Sequence, residues 1–258
     1  MMLRELYEYR ELLKTNVKKD IRGRYKASVL GVLWSFINPL LQVLVYAIVF
    51  PYLMKGAGDH YVVYLVTGII PWTFFQTVVN QSTTCIKANS GIIKKVYFPR
   101  IILPLSAFFS GLINFFISCV IIIFFCVIFG MGISWHLIFV PLIAVTEGLF
   151  GLAIGTFFGA VNAYIQDTEY IVNFLLMMAM YGAPVIYETS IFPEGSRIGA
   201  LIALNPMTHI MNAYRDVFMN HIIPDMGAIG LVFILSFAMF LLAVAIFNRM
   251  QKGFAEQF

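Results

Sequence analysis

The stretch Ile101-Ile-Leu-Pro-Leu-Ser-Ala-Phe-Phe-Ser-Gly-Leu-Ile-Asn-Phe-Phe-Ile-Ser-Cys-Val-Ile-Ile-Ile-Phe-Phe-Cys-Val-Ile-Phe-Gly130 decides the fold. About 20 consecutive apolar residues suffice for a helix to cross bilayer hydrocarbon, and this run exceeds that. A membrane barrel strand would instead alternate over about ten residues. The composition agrees. Of 258 residues, 60% are hydrophobic and 12% charged, with a mean hydropathy of +0.86. Soluble domains carry about 25% charged residues, so this chain has too few to clothe a soluble surface. Disorder needs the opposite balance. Three cysteines cannot build a disulfide scaffold. Cys85, Cys119 and Cys126 fall within or at the end of apolar runs and read as small hydrophobes, with no metal site. The fold class is an all-α integral membrane protein.

Working outward from 101–130, apolar segments recur at 29–54, 61–86, 136–161, 170–187 and 227–248, giving six predicted spans. The segment 170–187 is short, and Gly182 and Pro184 interrupt it near its end. Charge then sets the orientation. Residues 1–28, 87–100, 162–169 and 249–258 hold fourteen Lys and Arg. The opposite connections hold three, Lys55, Arg197 and Arg215. The basic side faces the cytoplasm, so both termini are expected there.

Residues 1–28 lack the apolar core and cleavage site of a signal peptide. Met2, Leu6, Tyr9, Leu13 and Val17 recur on one helical face, opposite Arg4, Glu5, Glu8, Glu11, Lys14 and Lys18. This suits an amphipathic helix lying in the membrane interface or an ordinary cytosolic helix. Residues 29–258 form the transmembrane domain. Within it, 188–226 is neither hydrophilic nor long enough in any one run to cross. Two short re-entrant helices, broken at Asn205-Pro206, fit it; an external loop packed on the surface is the alternative. The halves of the chain do not match, which disfavours an inverted-repeat carrier.

No catalytic motif appears. A G-x-x-x-x-G-K-[ST] phosphate loop is absent, and the four histidines are scattered without metal-ligand spacing. Asp167 and Glu169 read as a solvated pair that starts a helix. Glu147 is the one acid well inside a span, where a charge costs roughly 2.5–3.5 kcal/mol on insertion scales. It serves either a buried hydrogen bond or a proton relay. Gly151, Gly155 and Gly159, with Gly148 nearby, form a small-residue stripe for close helix approach, within the subunit or between subunits. Tyr46, Phe50, Tyr52, Trp72, Phe74, Phe75, Tyr181 and Tyr187 lie towards the outer ends of spans. Such rings suit a lipid belt or stacking on sugars. The loop Lys87-Ala-Asn-Ser-Gly-Ile-Ile-Lys-Lys-Val-Tyr-Phe-Pro-Arg100 is compact, basic and cytoplasmic, and sits between two long spans.

Three strings carry a resemblance. Asp20-Ile-Arg-Gly-Arg-Tyr-Lys-Ala-Ser-Val-Leu-Gly-Val-Leu-Trp-Ser-Phe-Ile-Asn-Pro39, Lys94-Lys-Val-Tyr-Phe-Pro-Arg100, and Leu204-Asn-Pro-Met with Tyr214-Arg215 occur in this order. Together they resemble type-2 ATP-binding-cassette permeases that export O-antigen, capsule or teichoic acid, over nearly the whole chain. The resemblance implies a non-enzymatic homodimer in the bacterial cytoplasmic membrane, paired with two copies of a cytosolic ATPase that binds ATP and magnesium. No cofactor is expected in this chain, and no nucleic acid. The cargo would be a polyprenyl-diphosphate-linked polysaccharide. Lys94, Lys95, Tyr97, Phe98 and Arg100 would couple to the ATPase. Arg22, Arg24 and Lys26 would meet the lipid diphosphate or anchor on anionic membrane lipids. Tyr46, Phe50, Tyr181 and Tyr187 would form a stacking ladder along the glycan path. Many members have Arg-Asp where this chain has Gln166-Asp167, so no role transfers there. A related permease for a drug or lipid, and an autonomous channel or proton-coupled carrier using Glu147, are the competing readings.

Overall fold

The computed structural model describes residues 7–25, 34–53, 60–193 and 195–256, without the side chains of 24–25, 35–36, 50–53, 190 and 255–256. Ten α-helices follow one another among these residues, with no strand. They are α1 (Arg10–Tyr25), α2 (Trp34–Leu53), α3 (Tyr61–Ala88), α4 (Ser90–Ile93) and α5 (Ile102–Ile128). Then come α6 (Val140–Asn162), α7 (Thr168–Ala179), α8 (Arg197–Leu204), α9 (Pro206–Arg215) and α10 (Met226–Met250). Four segments are long and apolar enough to cross a membrane: Tyr61–Ala88, Ile102–Ile128, Trp135–Asn162 and Met226–Phe254. Of the other two expected spans, one is described only in part and the other is shorter. The described part of 29–54 is the 20-residue α2. In 170–187 the helix stops at Ala179 after 12 residues, a rise of about 18 Å, little more than half the hydrocarbon thickness. The expected helix to 187 is therefore corrected to a half-length helix followed by turns. Past it, α8 and α9 occupy the region expected to hold two short helices, with Ser196 and Asn205 accepting from the backbone N–H groups of Gly199 and Met207 as N-caps.

The central post is α3, which touches α2, α5, α6, α7 and α9. Of its most apolar stretch, 78% is buried against other helices, against 33% for the last span. Its sequence is correspondingly the most polar of the four. Thr67, Thr73, Thr83 and Thr84 donate their hydroxyls to carbonyls four residues earlier, at 2.8–3.0 Å. Those bonds remove the cost of placing hydroxyls at membrane depth.

The glycine stripe belongs to the interior of the subunit. A Cβ on Gly151 would meet Phe75 and Val78, and one on Gly155 would come within 2.9 Å of the Val79 carbonyl. Gly159 faces the Ser82 carbonyl in the same way. The stripe lets the α6 backbone lie directly on α3, and α10 packs on another side of α6.

This contact generates a paired test. Gly155→Ala should lower the thermal unfolding midpoint of the detergent-purified protein, an overpacking cost of about 1–3 kcal/mol. Gly230→Ala in α10, with nothing within 4 Å of the added carbon, should hold or raise it. An unchanged midpoint for the Gly155 variant would remove the backbone contact.

Candidate functional site

Where α7 ends, the chain stays inside the protein without helical hydrogen bonding. Ala183, Pro184, Val185, Ile186 and Tyr187 are all buried. Backbone carbonyls in such a place need donors from elsewhere. Five side chains supply them. The Tyr187 hydroxyl donates to the Tyr181 carbonyl at 2.8 Å. The Asn205 amide donates to Gly182 at 2.8 Å. Arg215 donates to Pro184 at 2.5 Å and to Val185 at 3.2 Å. Tyr61 donates to Ile186 at 2.8 Å, and Tyr64 to Tyr187 at 2.5 Å. The Arg215 guanidinium also lies 3.5 Å from the centre of the Tyr64 ring, a cation–π contact that offsets part of its desolvation. Gly68 faces the Val185 carbonyl, with no room for a side chain.

Two of these donors, Asn205 and Arg215, come from the short strings read in the sequence before the last span. Their spacing reflects α9: Asn205 opens that helix, its side-chain oxygen accepting from Met207 N at 3.0 Å, and Arg215 closes it. Tyr214 adjoins this hub. Its hydroxyl donates to Glu147 at 2.8 Å, and both residues are fully buried. The other Glu147 oxygen has no hydrogen-bond partner among the described residues. Of the two roles open for Glu147, the structure displays the buried hydrogen bond. Tyr61 and Tyr64 escaped the sequence reading, because a tyrosine pair at the start of a span looks like an interfacial belt. The signal was Gly182 with Pro184: a broken, apolar helix end requires donors.

The opposite ends of α3 and α7 hold a second cluster. In the loop after α4, Tyr97 is 89% exposed whereas Phe98 is 5% exposed and part of the core. Lys94 and Lys95 are exposed. Arg100 is half-buried, donates to the Gln251 carbonyl and sits over the Phe254 ring, so the loop is fastened to the tail of α10. Lys87, at the end of α3, pairs with Glu169 at 2.8 Å in the first turn of α7. Asn162 braces the same corner, accepting from Glu169 N at 3.2 Å and donating to the Thr83 carbonyl at 3.2 Å. Asp167 is exposed just before α7.

The remaining expected site residues are spread apart. Arg22 is exposed on α1, beside an apolar groove formed by Leu13, Val17, Ile21 and Phe109 of α5. Lys26 and the Arg24 side chain lie outside the described residues, as does the Phe50 side chain. Tyr46 is half-buried on α2, and Tyr181 is 60% exposed. Tyr187 is 7% exposed, its ring set edge-on to Phe192. Of the four expected ladder rings, Tyr181 therefore offers a free face and Tyr187 is committed to the hub.

The hub yields a test. Tyr214→Phe leaves buried Glu147 without its donor, at a cost of about 1–3 kcal/mol. Glu147→Gln keeps an acceptor for Tyr214 and should cost less. Thermal unfolding in detergent should rank wild type, then Glu147→Gln, then Tyr214→Phe; equal midpoints for the two variants would show that the hydrogen bond carries no stability.

Comparison with known proteins fits this arrangement. The profile described as ABC-2 type transporter matches residues 11–219. The chain is 31% identical over 255 residues to the O-antigen export system permease protein RfbA of Myxococcus xanthus, covering 99% of this chain and 98% of that protein. It is 33% identical over 248 residues to the protein of the same name from Klebsiella pneumoniae, covering 95% and 94%. It is 21% identical over 242 residues to the polysialic acid transport protein KpsM of Escherichia coli, covering 91% and 92%.

Proposed function

The chain belongs to the ABC-2 type transporter family, and we propose that it is the permease subunit of an ATP-driven exporter of lipid-linked polysaccharide. The near full-length similarity to two O-antigen export permeases carries this reading. The cargo is a polyprenyl-diphosphate-linked glycan, moved across the cytoplasmic membrane by a homodimer. A separate pair of ATPase subunits handles ATP and magnesium. Each subunit contributes six membrane-embedded segments, with α2 and the half-length α7 counted among them and α8–α9 entering from the outer side. Both termini are cytoplasmic, and α1 lies on the inner leaflet.

The division of exposure supports a path beside α2 and α7. Along α7 only Thr168, Val172 and Leu176 are buried, a single stripe four residues apart. Apart from Glu169, the rest, including Tyr170, Phe174 and Met178, is exposed. On α2 the exposed residues among those described include Leu41, Leu44, Val45, Ile48 and Val49. These two helices keep apolar faces available for a second subunit and for cargo, and Tyr46 and Tyr181 flank them. An aromatic ring grips a sugar weakly and without strict geometry, which suits a sliding polymer.

Coupling runs through the loop after α4. Tyr97 projects for contact with the ATPase, while buried Phe98 transmits force into the core. Because Lys87 and Glu169 join the base of α3 to the base of α7, displacement of the loop moves the half-length helix as well.

Three outcomes check the reading. Vesicles containing this chain should move the lipid-linked glycan only with the partner ATPase and ATP; transport by the chain alone would favour the autonomous carrier, and indifference to glycan would favour another cargo. Tyr97→Ala should reduce export at least tenfold at normal protein level, whereas Phe98→Ala should lower the level itself by emptying a core site, a loss of about 3–5 kcal/mol. In a background without native cysteines, a thiol at Ser196 should react with an impermeant reagent from outside and one at Ser90 should not; the reverse pattern would invert the orientation.

A further inference from the structure

On the side of α3 away from α7, the helices α2, α3 and α5 enclose a groove of about 280 Å³. Each turns one polar stripe towards it. Asn38 comes from α2, Thr73 and Thr77 from α3, and Asn114 and Ser118 from α5. The spacing is four residues on both long helices, one helical turn, so the side chains stack along a common wall. Thr73 and Thr77 are near the middle of the 28-residue α3, and Asn114 and Ser118 near the middle of the 27-residue α5. Amides and hydroxyls at that depth are expensive against lipid, and within spans they face protein, water or cargo. The remaining wall is aromatic. Phe74 and Phe115 stack on each other at 4.9 Å, and Trp34 stands at the edge, 42% exposed. Among the described residues, no Lys, Arg, Asp or Glu lines the groove.

That lining defines the ligand chemistry. The described lining offers no cation for a diphosphate and no acid for a metal or an amine. Its amides and hydroxyls both donate and accept, as the ring hydroxyls of a neutral sugar require, save Thr73, whose proton goes to the Ile69 carbonyl; the exposed Trp34 ring suits the sugar's apolar side. The volume lies at the lower end of ligand pockets, which begin at about 300 Å³, and fits one ring rather than a chain. Resting on the reading of the chain as a glycan permease, we propose that this groove seats a single uncharged sugar residue of the cargo within each subunit, apart from the path beside α7. It samples the glycan one ring at a time, and its lining discriminates neutral from charged sugars.

The test uses the full complex with its ATPase, in cells making the glycan. A photo-crosslinking residue at Asn38 or Thr77 should give glycan-bearing adducts that vanish when glycan synthesis is blocked. The same residue at Val120, 60% exposed on α5, should give none. In the purified complex, Thr77→Val keeps side-chain shape and removes the hydroxyl. It should raise the glycan concentration for half-maximal ATPase stimulation about fivefold, the loss of one hydrogen bond, without changing the maximal rate. Glycan adducts at Tyr181 but not at Asn38 or Thr77, or an unchanged half-maximal concentration, would overturn the groove as a sugar seat and leave the permease reading standing. Absence of glycan adducts at every position, together with absence of export by the unmodified complex, would overturn both.

Discussion

A backbone that leaves its helix inside an apolar bundle must find donors for its carbonyls. This one constraint organises the end of the molecule where α3 begins and α7 ends. Once Gly182 and Pro184 end α7 early, the carbonyls from Tyr181 to Tyr187 lose helical partners, and those from Ala183 onward belong to buried residues, where each unsatisfied group costs several kcal/mol. Tyr61, Tyr64, Tyr187, Asn205 and Arg215 meet that demand. The need to deliver two of these donors explains why α9 packs into the protein, while α8 before it buries only Ile202. Asn205 bonds to the broken segment with one end of its amide and caps α9 with the other. Arg215 is the more demanding guest: the cost of burying a guanidinium is offset because one terminal nitrogen, Nη2, donates to two carbonyls and the face rests on Tyr64.

The consequence for α7 is mechanical. Its base is pinned by the Lys87–Glu169 pair and by Asn162. Its far end is pinned by the five donors. Between those points it touches the bundle along one narrow stripe. The Lys87–Glu169 pin is separated along the chain from the loop that carries Tyr97 by α4 alone.

Much of this was legible in residue patterns. The apolar run at 101–130 and its counterparts at 61–86, 136–161 and 227–248 became the four long membrane segments, and the break at Asn205-Pro206 became the α8–α9 junction. Hydropathy could not tell where α7 stops, because 180–187 is as apolar as the helix before it and differs only in hydrogen bonding. Nor could the sequence separate Tyr97 from Phe98: adjacent residues in an irregular loop carry no periodicity, and only the packing shows that one is 89% exposed and the other 5%. Tyr187 was ambiguous for a related reason. An aromatic ring near a span's end is compatible with a path or with a core, and neither its 7% exposure nor its hydroxyl bond to Tyr181 shows in the sequence pattern. The glycine stripe left two readings open because a small-residue face specifies close approach without naming the partner; α3 fills that place.

The stripe also sorts the helices into two mechanical classes. Glycines bring the α6 backbone against α3, and the same close approach packs Gly148 on Phe74 and Phe108 and lets Glu147 reach Tyr214. The set α3, α5, α6, α9 and α10 is thus joined by backbone contacts, buried aromatics and a buried acid–tyrosine bond, features that admit few alternative arrangements at native packing density. Around it, α1, α2 and α7 lie on the rim, bound chiefly by partial faces. Conformational change draws on the less densely bonded parts of a structure. By that rule α1, α2 and α7 are the elements least tied to their neighbours, and the glycine-joined core is the frame they lie against.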